Sequence, residues 1–147
     1  MDNSFDEKLN SLFSIMVDIC QEYVKDQAEK IFIHCYSEDN LISSNFFFKI
    51  NNKIVDSSRI NDYLQGKKSC DVSPKAQEKV LNAINEEIME IENLFDSSKR
   101  KVPAAIKIEF IAKNSEIKSE FLYDIHYTQS GENDISELFE KWYKETK

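Results

Sequence analysis

The stretch that decides the fold is KIFIHCYSEDNLISSNFFFKI, residues 30–50. It contains two runs rich in β-branched and aromatic residues, at positions 30–36 and 45–50, and a polar segment at 37–44 separates them. Such runs favour extended chain, and the polar segment suits a reversal of direction. We therefore predict a β-hairpin here, followed by a third short strand at residues 53–56.

A second pair of strands is indicated further along the chain. Residues 104–112 and 116–127 both alternate apolar and polar side chains, and the turn-forming pair Asn114-Ser115 separates them. Alternation with a period of two is typical of strands that bury one face and solvate the other. The sequence thus predicts a second antiparallel hairpin, with one face of the sheet buried and the other in water.

Three amphipathic helices are predicted beside these strands. The first covers residues 5–25 and starts with a capping box at Ser4. The second covers residues 74–95 and starts with a proline directly after an N-cap serine. A short terminal helix starts with a second capping box at 134–137. The order is α-β-β-(β)-α-β-β-α. We predict one α+β domain over residues 1–147, an antiparallel sheet of four to five strands with the helices packed on one face.

The chain is acidic, with 27 Asp and Glu residues against 19 Lys and Arg residues and a formal charge of −8. Residues 1–29 contain seven acids and two lysines, and residues 73–98 contain six acids and two lysines. Such a surface repels nucleic-acid phosphates and anionic lipids and attracts basic proteins. We expect no nucleic-acid partner and no membrane partner.

Cysteine usage and the first residues of the chain favour the cytosol. Cys20, Cys35 and Cys70 are widely spaced and form no C-x-x-C pair, which suits free thiols in a reducing compartment. The start lacks the basic and apolar segments of a signal peptide, and no apolar run approaches the ~20 residues of a membrane span. We expect a cytoplasmic protein.

No constellation of catalytic or cofactor-binding residues is evident. The sequence has two glycines and no phosphate-binding loop, and it contains neither a G-x-S-x-G nor an H-E-x-x-H motif. His34 and Cys35 are neighbours on a strand and point to opposite faces, so they do not suit a shared zinc site. We expect no catalysis, no metal and no cofactor, and an enzyme that uses Cys35 or His126 is the least favoured alternative.

Acidic ridges on two helices are the candidate binding surface. On the first helix four acids recur at spacings of four, four and three from Asp18 to Glu29, and two more recur four apart on the second. A solvated face is the ordinary explanation for such carboxylates. Two ridges on separate helices also suit imitation of a phosphate backbone towards a basic cleft. With two residues on one face of the last strand, the candidates for binding a basic protein partner are Asp18, Glu22, Asp26, Glu86, Glu90, Asp124 and His126.

The order and character of these elements resemble the YezG-like immunity proteins, small antitoxins that protect bacteria from secreted polymorphic toxins. The likeness covers most of the chain. It comprises the opening amphipathic helix, the strands KIFI at 30–33 and NFFFK at 45–49, the long second helix, the strand FLYDIHY at 121–127, and Trp142 in the final segment.

The resemblance implies a cytoplasmic protein that binds and neutralises a cognate toxin domain, often a nuclease delivered by contact-dependent or type VII secretion. Inhibition is then stoichiometric, either by covering the catalytic cleft or by locking the toxin from a neighbouring surface. The acidic charge agrees with a basic toxin as partner, bound by a monomer or weak dimer. The alternative is an acidic secretion chaperone, a class that is also small and α+β and that holds an effector segment as a homodimer.

Overall fold

The computed structural model describes residues 3–38, 41–64, 68–123 and 135–147. Its helices and strands are α1 (Asn3–Val24), β1 (Lys30–Glu38), β2 (Leu41–Ile50), β3 (Lys53–Asp56), a 3-10 helix (Ser57–Tyr63), α2 (Pro74–Ser97), β4 (Ala105–Ile111), β5 (Glu116–Leu122) and α3 (Ile135–Thr146). The strands form one antiparallel sheet in the order β3-β2-β1-β4-β5. The predicted α+β class, the antiparallel sheet and the element order are confirmed.

β1 is the centre of the sheet and is buried on both faces. It pairs with β2 on one side and β4 on the other, and its residues 31–36 are all buried. Ile31, Ile33 and Cys35 belong to the larger core, whereas Tyr36 belongs to a second, smaller one on the opposite face. A strand covered on both faces favours apolar side chains at successive positions, which explains why His34 is the only titratable imidazole in a run that is otherwise apolar or aromatic.

The first hairpin is longer than predicted. Residues 37–44 were expected to form the connection, but β1 extends to Glu38, β2 begins at Leu41, and these two residues pair. Polar side chains can continue a strand because the backbone ladder does not depend on them. Ser44 tolerates burial here because its hydroxyl donates a hydrogen bond to Asn85 Oδ1 of α2 at 2.7 Å.

α1 and α2 cover one face of the sheet and run antiparallel to each other. Phe5 near the start of α1 meets Phe95 near the end of α2, with ring centroids 5.1 Å apart. At the other end, the Tyr23 hydroxyl donates to the Ser57 carbonyl oxygen at 2.7 Å, and the Ser57 hydroxyl lies 3.4 Å from Gln77 Oε1 of α2. The larger core lies between these two helices and the sheet.

α3 packs on the opposite face, which corrects the prediction that all helices share one face. The Trp142 ring meets the His34 ring edge to face at 5.2 Å, and Tyr143 meets Phe47 at 4.9 Å. Their strand neighbours lie in the larger core, so His34 and Phe47 point away from α1 and α2. The prediction of one solvated sheet face is therefore wrong for the central strands, because their second apolar face also requires cover.

Both ends of α1 differ from the prediction. The helix begins at Asn3, so Ser4 lies inside its first turn and is not the N-cap. It ends at Val24, because Lys25 and Asp26 take positive φ angles of 55° and 57°, outside the helical region. Asp26 and Glu29 therefore lie beyond the helix and do not continue its acidic ridge.

Candidate protein-binding surface

The outer surface of α1 and α2 is strongly acidic. The two helices carry ten Asp and Glu residues and three lysines. Four of the predicted residues are exposed on this surface: Asp18, Glu22, Glu86 and Glu90. None of the four forms an ion pair with another residue of the described ranges. Their charges are therefore free to act on a partner.

These carboxylates form a band along the helix pair. The contacts at the two ends set residue 5 beside 95 and, through Ser57, residue 23 beside 77. At a rise of about 1.5 Å per residue, this alignment puts Glu86 level with roughly residue 14 and Glu90 with roughly residue 10 of α1. The band from Glu90 to Glu22 is therefore about 18 Å long.

Apolar side chains are exposed among these charges. Met89 on α2 is 52% exposed, and Ile15 on α1 is 44% exposed. On α2, burial raises the pKa of the Glu87 carboxyl, and the charges of Glu90 and Glu86 raise it further. The surface thus combines a cluster of acids, whose mutual repulsion a cationic partner would reduce, with apolar area that a partner can bury.

Of the remaining predicted residues, only Asp26 lies within the described ranges. Asp26 is exposed but lies in the turn after α1. Asp124 and His126 lie outside the described residues, as does the predicted N-cap Asp134 of the terminal helix. The helical surface is therefore defined by two acids on α1 and two on α2.

His34 lies in a second, enclosed group of residues that the sequence did not single out. It is 3% exposed, and the rings of Phe47 and Trp142 each meet it edge to face at 5.2 Å. Its Nδ1 atom has no hydrogen-bond partner among the described residues. Burial, together with the charge of its cross-strand neighbour Lys107, lowers the pKa of His34 to about 4. The imidazole is therefore neutral at pH 7.

The cysteines are buried free thiols. Burial raises the pKa of Cys35 to about 12, and burial followed by the charge of Cys35 raises the pKa of Cys20. Burial also raises the pKa of Cys70. A thiol that stays protonated at neutral pH is a poor nucleophile, so Cys35 does not suit the catalytic role considered for it.

Within the described ranges, no group of three or more His, Cys, Asp or Glu residues is placed to hold a metal ion. No helix within these ranges has the length and apolar character needed to cross a membrane.

No protein-family model matches the chain, and no curated protein matches it significantly. The acidic band on α1 and α2, with its exposed apolar side chains, is the most distinctive surface among the described residues.

Proposed function

We propose that this protein is an immunity protein, which binds and neutralises a cognate secreted toxin domain through the acidic surface of α1 and α2. The observation that carries this proposal is the excess of ten acids over three lysines on two adjacent helices. Exposed Ile15 and Met89 supply apolar contact area within that surface. A partner of this surface must be cationic where it docks.

A nuclease domain is the toxin that fits these features best. Nucleases bind a polyanion, so their substrate clefts are lined by cationic groups. A band of carboxylates about 18 Å long can occupy such a cleft in place of the phosphate backbone. Inhibition is then stoichiometric and needs neither a metal nor a cofactor on the immunity protein.

The proposed site of action is the cytoplasm. Three free, buried thiols suit a reducing compartment. A nuclease toxin that reaches the cytoplasm attacks nucleic acid there, so its inhibitor must be present in the same compartment.

Charge reversal on the helix surface tests the proposal. We expect the triple variant Asp18→Lys, Glu22→Lys and Glu86→Lys to weaken binding of the cognate toxin domain by about 100-fold at low salt, or ~1 kcal/mol for each site. Isothermal titration calorimetry measures the loss, and growth of toxin-expressing cells measures the loss of protection. Unchanged affinity at low salt would contradict the proposal.

A matched variant separates position from net charge. Asp62→Lys, Glu140→Lys and Glu145→Lys together change the net charge equally at exposed sites outside α1 and α2, two of them in surface ion pairs. We expect this control to retain most of the affinity. Equal losses in the two variants would mean that overall charge, and not the helix surface, determines binding.

The partner for these measurements can be found without assuming its identity. The first candidate is the C-terminal domain of a large protein encoded beside this gene. A pulldown from the producing cell provides an independent route. Recovery of an effector that lacks toxicity, bound as an extended segment, would favour the chaperone alternative.

A further inference from the structure

Within the described residues, β5 forms one edge of the sheet. β5 is the last strand in the sheet order, and its inner edge pairs with β4 over all seven residues. No strand of the described ranges pairs with its outer edge, and five of its seven residues are exposed. An edge strand presents unpaired N–H and C=O groups that another strand can meet.

The sequence of β5, EIKSEFL, is complementary to itself. Two antiparallel copies related by a two-fold axis perpendicular to the sheet keep their faces aligned, so residues of the same parity face each other. The register centred on Ser119 is the one that pairs all seven residues. It sets Lys118 opposite Glu120 of the second copy, and Ile117 opposite Phe121 of the second copy.

Neighbouring registers lack this match. Moving the centre to Lys118 places that lysine opposite itself and Glu116 opposite Glu120. Moving it to Glu120 places that glutamate opposite itself. Like charges directly opposite each other destabilise a strand pair, whereas opposite charges and apolar pairs stabilise it. The charges therefore select the register that uses the whole strand.

The same register continues a row of alternating charges across the sheet. Lys30 Nζ lies 2.9 Å from Glu109 Oε2, and Glu109 pairs in register with Lys118. In the second copy, Glu120 pairs in register with Lys107. The row then runs Lys30, Glu109 and Lys118 in one copy, and Glu120 and Lys107 in the other, with the sign alternating at every step.

We propose that β5 is a homodimerisation edge, where a second copy of this chain adds its own β5 antiparallel, centred on Ser119, to form a continuous ten-stranded sheet. Each copy keeps its own core, so the dimer forms reversibly as concentration rises. The contact lies at the edge of the sheet and leaves the acidic band on α1 and α2 exposed.

A charge swap tests the register. Sedimentation velocity of the wild type should show a mass rising from 17.2 kDa towards twice that value between micromolar and millimolar concentration. Lys118→Glu or Glu120→Lys alone should raise the dimer dissociation constant at least tenfold. The double variant Lys118→Glu with Glu120→Lys should restore dimerisation. Lys75→Glu, at an exposed position of α2, is the control that should leave dimerisation unchanged.

Folding effects are distinguishable in the same experiment. The double variant places like charges opposite Glu109 and Lys107 within each copy, so its melting temperature should be lower than that of either single variant while its dimerisation returns. A wild type that remains monomeric at millimolar concentration overturns the proposal. So does a double variant that fails to dimerise while folded, or a dimer that Lys118→Glu leaves intact.

Disulfide trapping gives a second measurement. Directly opposed residues in an antiparallel pair have Cα atoms about 4.5–5.5 Å apart, within the range of a disulfide. Ser119→Cys should therefore form a covalent dimer on mild oxidation. Glu116→Cys should not, because its copies lie about 20 Å apart in this register. Equal trapping at both positions overturns the register.

Discussion

At the scale of single residues, His34 is held by ring contacts on the face of the sheet that α3 covers. Phe47 and Trp142 pack against its ring, and Lys107 lies across the strand. Lys107 Nζ also lies 4.6 Å from the centroid of the Trp142 ring. Protonation of His34 would place a second positive charge in an apolar environment beside a lysine. The fold therefore favours the neutral imidazole.

The lowered pKa of His34 predicts that acid destabilises the fold. The pKa falls from 6.5 in the unfolded chain to about 4 in the folded one, so the unfolded chain binds more protons between these values. The stabilisation is fully present above pH 6.5 and is lost as the pH falls towards 4. We expect the free energy of unfolding to drop by about 1.5 kcal/mol between pH 6.5 and 5 from this residue.

Urea unfolding followed by far-UV circular dichroism measures this loss. The variant His34→Gln cannot titrate, so its free energy of unfolding should vary much less over the same interval. If wild type and variant lose equal stability between pH 6.5 and 5, then His34 is not the cause.

Residue spacing predicted part of the candidate site. Asp18 and Glu22, four residues apart, are exposed on α1 as their helical spacing indicated. Asp26 was misplaced because α1 ends at Val24 without a glycine or proline to mark the end. Lys25 and Asp26 adopt positive φ angles that such residues rarely take, and the sequence gives no local signal for them.

At the scale of elements, the location of α3 was the principal error. Helical periodicity tells which side of a helix is apolar, but it does not tell which face of a sheet receives that side. The run at residues 31–36, apolar or aromatic except for His34, was the available signal, because it indicates burial on both faces. Together with the one-sided pattern of the second hairpin, this run could have predicted that one helix covers the face of the sheet opposite the other two.

Unequal cores predict that α3 detaches before α1 and α2. Among the described residues, the hydrophobic cluster that α3 forms with the sheet contains six buried residues, four of them on α3, whereas the cluster that α1 and α2 form with the sheet is several times larger. Local opening occurs at lower free energy where fewer apolar contacts are lost. We expect amide hydrogen exchange in α3 to be faster than in the middle of α1 and α2 under native conditions, measured by mass spectrometry.

Two variants sharpen this prediction. Trp142→Ala removes the main contact with His34 and should accelerate exchange in α3 further while leaving α1 largely protected. Glu140→Ala, at an exposed position of α3, should have little effect on exchange. Equal acceleration of exchange throughout the chain in Trp142→Ala would show that α3 does not open independently.

At the scale of the whole molecule, charge is unevenly distributed. The helix pair carries ten acids and three lysines, whereas residues 99–113 contain five basic residues and one acid. Part of the basic segment packs against rings, as where the Arg100 guanidinium lies 3.8 Å from the centroid of Phe5. A molecule with this asymmetry orients in the field of a charged partner before contact.

This asymmetry predicts a salt-dependent association rate with the toxin domain. We expect the rate constant to fall by about tenfold or more between 20 and 500 mM NaCl, because exposed charges are screened beyond a Debye length that shrinks with salt. The dissociation rate should change much less. Stopped-flow mixing measures both rates, and an association rate that is independent of salt would contradict electrostatic steering by this surface.

The ring contact between Trp142 and His34 also gives the protein an intrinsic fluorescent probe of α3. The sequence contains one tryptophan, and it lies in α3, buried between that helix and the sheet. Any movement of that helix away from the sheet must transfer the indole from an apolar environment to water. The tryptophan emission spectrum of the unlabelled protein therefore reports the opening of α3 without any attached dye.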